Sequence, residues 1–397
     1  LYSSAASDVY KRQVGVLRRA AESQPGRSSH AMSHAWLITG PPGSGRSNAA
    51  KAFAAALQCV DHGCGQCNAC RTTLSGAHPD VTLVRTEALS IGVDEVRELV
   101  RRAAMNPVHG CHQVVVVEDA DRITERGADA LLKAIEEPAP KTVWLLCAPT
   151  PEDVIVTIRS RCRRLHLATP RDEAVADLLT RRDGIAPEVA AEAARAGQGH
   201  IGRARRLAWD EEARARRNAI GELPTRLRSL GDCLQAAEDL VNQASEEAAA
   251  ATAEVNAAER AELKKALGFG SSGARPRNAQ AALRDLEKQQ SARLKRLQRD
   301  ALDRVLTELT AYHRDVLAIQ TGAVRPEEEN ALRGARLVNA GWSASLHRIA
   351  DSQSPEHTVA TIDAILAARK SLEHGVTPLL VMETLLIAMT GVDRARW

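Results

Sequence analysis

The sequence predicts an α/β module, a parallel sheet with flanking helices, followed by an all-helical remainder. Three observations predict it. Between Ala35 and Leu167 short apolar runs alternate with amphipathic stretches of helical length, the pattern of a parallel sheet covered by helices. Past Pro170 the strand signals stop. Beyond about Asp210 everything reads as helix except a break at Gly268–Asn278, where glycine, serine and proline dictate a loop.

The chain opens on Leu1 rather than Met, and Leu1–Gln13 shows neither periodicity nor continuity with the helix-like Val14–Glu22. Residues 1–13 are therefore read as a truncated or artefactual start and given no role. The strand candidates are Ala35–Thr39, Val81–Arg85, Gln113–Glu118, Val143–Cys147 and Arg163–Leu167. Most are rich in Val, Leu or Ile, as strands buried on both faces must be. Between them Ser47–Leu57, Val93–Ala104 and Thr124–Glu136 have helical spacing. Asp172–Leu179, Ala186–Ala196 and His200–Ala208 read as three short helices of a small second domain. The boundaries are thus 14–168, 169–210 and 211–397, the last with an insertion at about 240–305. The arms of that insertion, Ala236–Leu267 and Ala279–Leu309, are rich in Ala, Leu, Glu, Lys and Arg. Leu283, Leu286, Leu294, Leu297 and Ala301 keep approximate heptad spacing, so either the arms pair as an antiparallel hairpin or a charged surface helix extends a bundle. Arg293, Lys295, Arg296 and Arg299 form a basic cluster, either a contact for DNA or a partner, or a solvated face.

With 397 residues and 44% hydrophobic content the chain can bury a sizeable core. Fifty-three basic against 50 acidic side chains leave a net charge of +3, so any nucleic-acid contact must come from local patches. An aromatic content of 3% argues against a surface that stacks bases. No run of eighteen uncharged apolar residues and no secretion signal is found, so the expectation is a cytoplasmic protein without a membrane partner. Of the eight cysteines four fall between Cys59 and Cys70, and in a reducing compartment such a cluster means metal.

Four motifs carry chemistry. Gly40-Pro41-Pro42-Gly43-Ser44-Gly45-Arg46-Ser47 follows a predicted strand and opens a predicted helix, where backbone N–H groups can curl around phosphate and the Ser47 hydroxyl can hold Mg²⁺. Arg46 stands where such a loop wants lysine, and a planar fork is no substitute for a compact ammonium. Val114–Val117 leads into Glu118 and Asp119 at the strand end, where carboxylates can bind Mg²⁺ and orient water, but a working site has Asp before Glu. Either this site is weakened or the acids merely solvate the strand end. Cys59, Cys64, Cys67 and Cys70, spaced C-x4-C-x2-C-x2-C, supply four thiolates for a closed tetrahedral zinc site, structural rather than catalytic. In Thr157-Ile158-Arg159-Ser160-Arg161-Cys162, just before the last strand, one arginine is a candidate finger for a neighbour's phosphate chemistry; the plain alternative is a surface turn.

Together with Ala130-Leu131-Leu132-Lys133-Ala134-Ile135-Glu136-Glu137-Pro138, these motifs resemble the delta-prime family of bacterial DNA polymerase III clamp-loader subunits, over about Trp36–Leu207. The resemblance implies an AAA+ module, a small helical lid and an all-α C-terminal collar in a hetero-pentameric ring. It implies that Arg161 is the trans-acting arginine finger and that Cys59, Cys64, Cys67 and Cys70 hold structural zinc. It maps a nucleotide site to Gly40, Gly43, Ser44, Gly45, Arg46, Ser47, Glu118 and Asp119, although many family members have lost nucleotide binding. The γ-phosphate sensor falls near Ala148-Pro149 and the lid arginine on Gly202, with Arg203 adjacent. These departures imply ATP or ADP held weakly or not at all, Mg²⁺ only with nucleotide, and no intrinsic ATPase in a component of a DNA-directed DNA polymerase holoenzyme. The implied partners are the other loader subunits, the sliding clamp and primed DNA. Two alternatives stand beside this reading: an ATPase motor subunit of the same ring, and a zinc-stabilised protein-binding adaptor.

Overall fold

The computed structural model describes residues 8–23, 32–86, 90–267, 279–324 and 337–390, and the chain divides into two units, Leu1–Trp209 and Asp210–Trp397. Residues 1–7 and the expected loop at 268–278 lie outside the described residues.

In the first unit, β1 (Ala35–Thr39), β2 (Val81–Val84), β3 (Gln113–Val117), β4 (Thr142–Ala148) and β5 (Arg163–His166) form a parallel sheet in the order β2-β3-β4-β1-β5. Every end falls at or next to the residue the apolar runs predict. The helices around the sheet are α1 (Asp8–Glu22), α2 (Arg46–Gln58), α3 (Asn68–Ser75), α4 (Val93–Ala103), α5 (Glu125–Glu136) and the short α6 (Val156–Arg159). Helix α1 begins at Asp8, ahead of the Val14 expected from sequence.

Alternate residues of each strand serve opposite faces of the sheet. Leu37, Val115, Val117, Trp144 and Leu146 pack with Val96 and Leu99 of α4 and Leu131 and Ile135 of α5. Trp36, Ile38, Val114, Val116 and Leu145 turn the other way, onto Leu17 of α1 and Phe53 of α2. Trp36 meets Phe53 edge-on, with ring centroids 5.2 Å apart. Truncating a fully buried side chain such as Leu131 to alanine would cost about 2–5 kcal/mol, transfer and cavity together. Helix α4 suits its dipole, with Asp94 and Glu95 in the first turn and Arg101 and Arg102 in the last. Helix α5 is capped by Thr124, whose side chain accepts from the Gly127 N–H at 3.2 Å.

Three further helices complete this unit: α7 (Asp172–Asp183), α8 (Pro187–Gly197) and α9 (Ile201–Trp209). They pack through small residues; a Cβ on Gly197 would lie 2.7 Å from that of Ala204, so α8 and α9 approach as closely as glycine allows.

The second unit is helical throughout its described residues: α10 (Glu211–Arg226), α11 (Leu230–Ala266), α12 (Ala279–Gln320), α13 (Ser343–Ser352), α14 (Pro355–Glu373) and α15 (Pro378–Thr390). Its core gathers Cys233 of α11, Leu302, Leu306 and Leu309 of α12, Ile365 of α14, and Met382 and Leu386 of α15. Helices α11 and α12 run antiparallel: Arg304 pairs with Glu247 (2.7 Å), Arg293 with Glu259 (2.8 Å), and Gln290 donates to the Asn256 carbonyl (3.0 Å). From Arg293 to Arg304 along α12 the partner on α11 falls from Glu259 to Glu247. Leu283, Leu286, Leu294 and Leu297 are half-buried and Ala301 is buried along this seam. Arg293 of the basic cluster is therefore spent inside the hairpin, and Arg296 pairs with Asp300 one turn on (3.8 Å). Buried Asp315 accepts from the Asn339 backbone N–H at 2.8 Å, and Arg217 joins Glu308 (3.2 Å) and Asn339, so the buried charges are paired as burial requires. No helix among the described residues is long and apolar enough to cross a membrane.

Candidate nucleotide loop, metal centre and finger arginine

The loop Gly40–Ser47 leaves the carboxyl end of β1, a central strand flanked by β4 and β5. The Gly40 N–H donates to the Pro149 carbonyl beyond β4 (3.1 Å), and the Leu167 N–H to Thr39 (2.7 Å), so both neighbours fix the loop's root. Gly43 (φ 83°) and Gly45 (φ 84°) take the left-handed conformation that other residues enter only at a cost. Gly45 is the N-cap of α2 and offers no side chain, leaving the first N–H groups of the helix without a capping oxygen.

Three side chains occupy the surroundings of this loop. Arg46 donates through Nη1 to the Gly40 carbonyl, so the guanidinium at the lysine position is turned back on the loop itself. Lys51, five residues further along α2, brings Nζ to 2.7 Å from Glu118 Oε1 at the end of β3, with both side chains largely shielded from solvent. His200, which precedes α9, packs on Gly43: a Cβ there would lie 2.2 Å from His200 Cγ and 2.4 Å from its Cα. The His200 ring accepts through Nδ1 from the Arg203 N–H (3.2 Å), capping α9, and burial with the nearby charges of Arg203 and Arg46 holds its pKa below the usual histidine range. Ser44 is buried, with its Oγ lacking a partner among the described residues. Asp119 carries the turn Ala120–Arg122, in which the Asp121 carboxyl is pushed up by burial and by the Asp119 charge.

The cysteine tetrad lies at the far end of α2, whose thirteen residues span about 20 Å. All four Sγ atoms fall within 4.8 Å of one another. Cys59 Sγ is 3.7 Å from that of Cys64 and 3.6 Å from that of Cys67. A tetrahedron with metal–sulfur bonds of about 2.3 Å has edges of about 3.8 Å, so the spacing fits a thiolate-bound metal ion. The backbone N–H of Cys67 points at Cys64 Sγ (3.3 Å) and that of Cys70 at Cys67 Sγ (3.4 Å), the second-layer donors that steady thiolates. Burial opposes ionisation of Cys59, but N–H donors at Cys64, Gly63 and Asp61 bring its thiol down to about 6. These cysteines can hold a metal ion. His62 is exposed and outside the set.

Arg161 follows α6 and precedes β5, at the opposite edge of the sheet from the loop: Arg163 opens β5 beside Trp36 near the start of β1, whereas Gly40 follows its end. Its Nη1 donates to the Thr157 carbonyl (2.8 Å) and to Ser160 Oγ (3.3 Å), and its Nη2 lies 2.5 Å from Glu136 Oε1. Arg159 instead pairs with Glu152 at 3.3 Å. Burial pushes the adjacent Cys162 thiol up to about 12, which leaves it inert.

Residues 21–171 match the family model described as DNA polymerase III, delta subunit. The chain is 36% identical over 156 residues to the DNA polymerase III subunit delta' of Haemophilus influenzae, covering 38% of this chain and 48% of that protein. With the subunit delta' of Escherichia coli the identity is 33% over 202 residues, 49% of this chain and 59% of that protein. With the subunit delta' of Pseudomonas aeruginosa it is 38% over 159 residues, 38% of this chain and 47% of that protein. Over this segment the chain is similar to DNA polymerase III delta-prime subunits. The chain spans about half the length of the curated relatives it matches.

Within the sheet module the loop and the Glu118-Asp119 pair share the carboxyl edge of the sheet, while the tetrad and Arg161 lie elsewhere. Sequence reasoning missed Lys51, His200 and Glu136 as members of these sites. Lys51 and Glu136 look like ordinary helix-surface charges, and only the pairing of distant segments gives them partners. His200 had one legible signal, its place just after Gly199 at the head of a predicted helix.

Proposed function

We propose that this chain is a subunit of a DNA polymerase III clamp loader that leaves its own phosphate loop idle and donates Arg161 to the ATPase site of a neighbouring subunit. The observation that carries the reading is the place of Arg161. It sits at the sheet edge opposite its own loop, partly exposed, so it can serve a phosphate only on another chain. A guanidinium delivered there neutralises charge on the transferred phosphoryl group, the role of an arginine finger.

Three features support an idle loop. Arg46 is engaged by Gly40, Glu118 by Lys51, and the space beside Gly43 by His200, which competes with a phosphate seated on the loop N–H groups. The tetrad would hold zinc, which supplies no chemistry of its own here and ties the segment after α2 to α3. In the proposed setting the partners are the other subunits of a five-membered ring, the sliding clamp and primed DNA, in the cytoplasm.

The test is a reconstituted loader carrying Arg161→Ala or Arg161→Lys. ATP hydrolysis at the adjoining site and clamp loading are expected to fall by roughly 10³-fold or more at that site with alanine, and lysine should rescue little because a point charge lacks the fork. Unchanged DNA-stimulated hydrolysis would sink the assignment. Turnover of ATP by the purified chain alone would make it a motor subunit instead.

A further inference from the structure

Arg161 is held by its own chain through two different kinds of contact. One edge of the guanidinium is fixed locally, Nη1 to the Thr157 carbonyl and Ser160 Oγ. The other edge reaches a separate element, Glu136, the last residue of α5, at 2.5 Å. An acidic side chain at that end of a helix faces the negative end of the dipole, and here Glu137 adds a second acid beside it. Helix stability therefore does not account for Glu136. Its partner does.

The strength of this pair also matters. Each side chain is 41% exposed, so solvent screens the attraction and the pair separates at small cost. The terminal phosphates of a nucleotide present several anionic oxygens to the same fork and form stronger, charge-assisted hydrogen bonds. Such a ligand outcompetes one screened carboxylate, whereas water does not.

We infer that Glu136 is a positioning residue for Arg161: it parks the guanidinium against the end of α5 and yields it to a nucleotide phosphate presented by the adjoining subunit. The inference rests on the reading of Arg161 as a trans-acting finger. The exchange is one of ion-pair partners, with no bond made or broken, and it makes engagement of the finger conditional on correct docking of the neighbour's nucleotide.

The variant Glu136→Gln keeps shape and a hydrogen-bond acceptor but removes the charge. In a reconstituted loader without clamp or DNA it is expected to raise ATP hydrolysis roughly two- to fivefold, the range a screened surface pair can supply, and so to lower the stimulation ratio on adding both. Glu136→Asp, which keeps the charge and shortens the reach, should fall between Gln and wild type. Adding Arg161→Ala to Glu136→Gln should abolish the rise, which a merely structural effect of Glu136 would not do. If the basal rate of Glu136→Gln equals or falls below that of wild type while Arg161→Ala still depresses hydrolysis, the parking role is wrong and the finger stands. If Arg161→Ala changes nothing, the finger reading fails and this inference with it. Should the Gln variant fold poorly, the Asp variant alone decides, since it too must exceed the wild-type basal rate.

Discussion

Lys51 Nζ lies 2.7 Å from Glu118 Oε1, so the first acid after β3 is neutralised by a lysine on the very helix that the phosphate loop opens. The Glu118 carboxylate is thereby committed to holding α2 on the sheet. Substituting Glu118→Gln should lower unfolding free energy by about 1–3 kcal/mol, because a largely shielded ammonium loses its partner. It should leave ATP hydrolysis by the assembled loader unaltered. Chemical denaturation and steady-state turnover on the same sample check both halves; a loss of turnover without loss of stability would return Glu118 to catalysis.

The seat of His200 on Gly43 has a measurable counterpart. Gly43→Ala puts a Cβ into the backbone of His200 and asks alanine to adopt φ 83°, so a fall in stability of about 2 kcal/mol or more is expected. His200→Ser retains a capping oxygen for α9 while clearing the ring from the loop, and should tighten binding of labelled ADP or ATP with Mg²⁺ about tenfold over wild type. Equal affinities by equilibrium dialysis would show that the imidazole does not guard the loop.

For the tetrad, elemental analysis should find one zinc per chain, and Cys64→Ser should remove it. Because a closed thiolate site contributes folding energy, the segment 59–75 should become protease-sensitive and the thermal midpoint should fall, while the Arg161-dependent hydrolysis of the assembled loader persists. Full stability after exhaustive chelation would remove metal from the account.

Acid should act on the second unit through His313. Burial, with the nearby charge of His357, lowers its pKa to about 4, and both ring nitrogens lack partners among the described residues. Since the folded value lies below the unfolded one of about 6.5, the unfolded chain binds the proton first. The neutral ring's contribution is therefore fully present above about pH 6.5 and is lost as pH falls towards about 4, a change of roughly 3 kcal/mol. Replacing His313 by Leu should remove that part of the pH dependence, measured as the difference in urea midpoints between pH 7 and pH 4.5. Parallel pH profiles for wild type and variant would exclude His313 as the cause.

What the sequence made legible follows from local chemistry. Strands β1, β3 and β4 were readable because strands buried on both faces must be largely apolar, as Val114–Val117 are, whereas the edge strand β5, Arg163–His166, buries only Leu165. The phosphate loop and the tetrad were readable because their chemistry is compressed into a few adjacent residues. Helix α3 escaped notice since its capping residue, Cys67, read as a metal ligand, and a cysteine rarely announces a helix start. The partners of the key side chains were not legible at all. Lys51 and Glu118 are brought together across 67 positions, and Glu136 and Arg161 across 25, by the parallel crossovers of the sheet rather than by any spacing along a helix. A reading from periodicity finds faces; it does not find which face meets which.

The position of β1 constrains how the molecule is made. Its two sheet neighbours are β4 and β5, both encoded more than a hundred residues later, so Trp36, Leu37 and Ile38 leave the ribosome with no strand to pair with. These side chains are fully buried in the finished protein. During synthesis they must wait, exposed or sheltered by α2, until His166 has emerged, and pairings of such long sequence separation are slow to close and open to misassociation in the meantime. Cutting the chain between β4 and β5 would thus leave β1, the strand that carries the phosphate loop, with a bare edge.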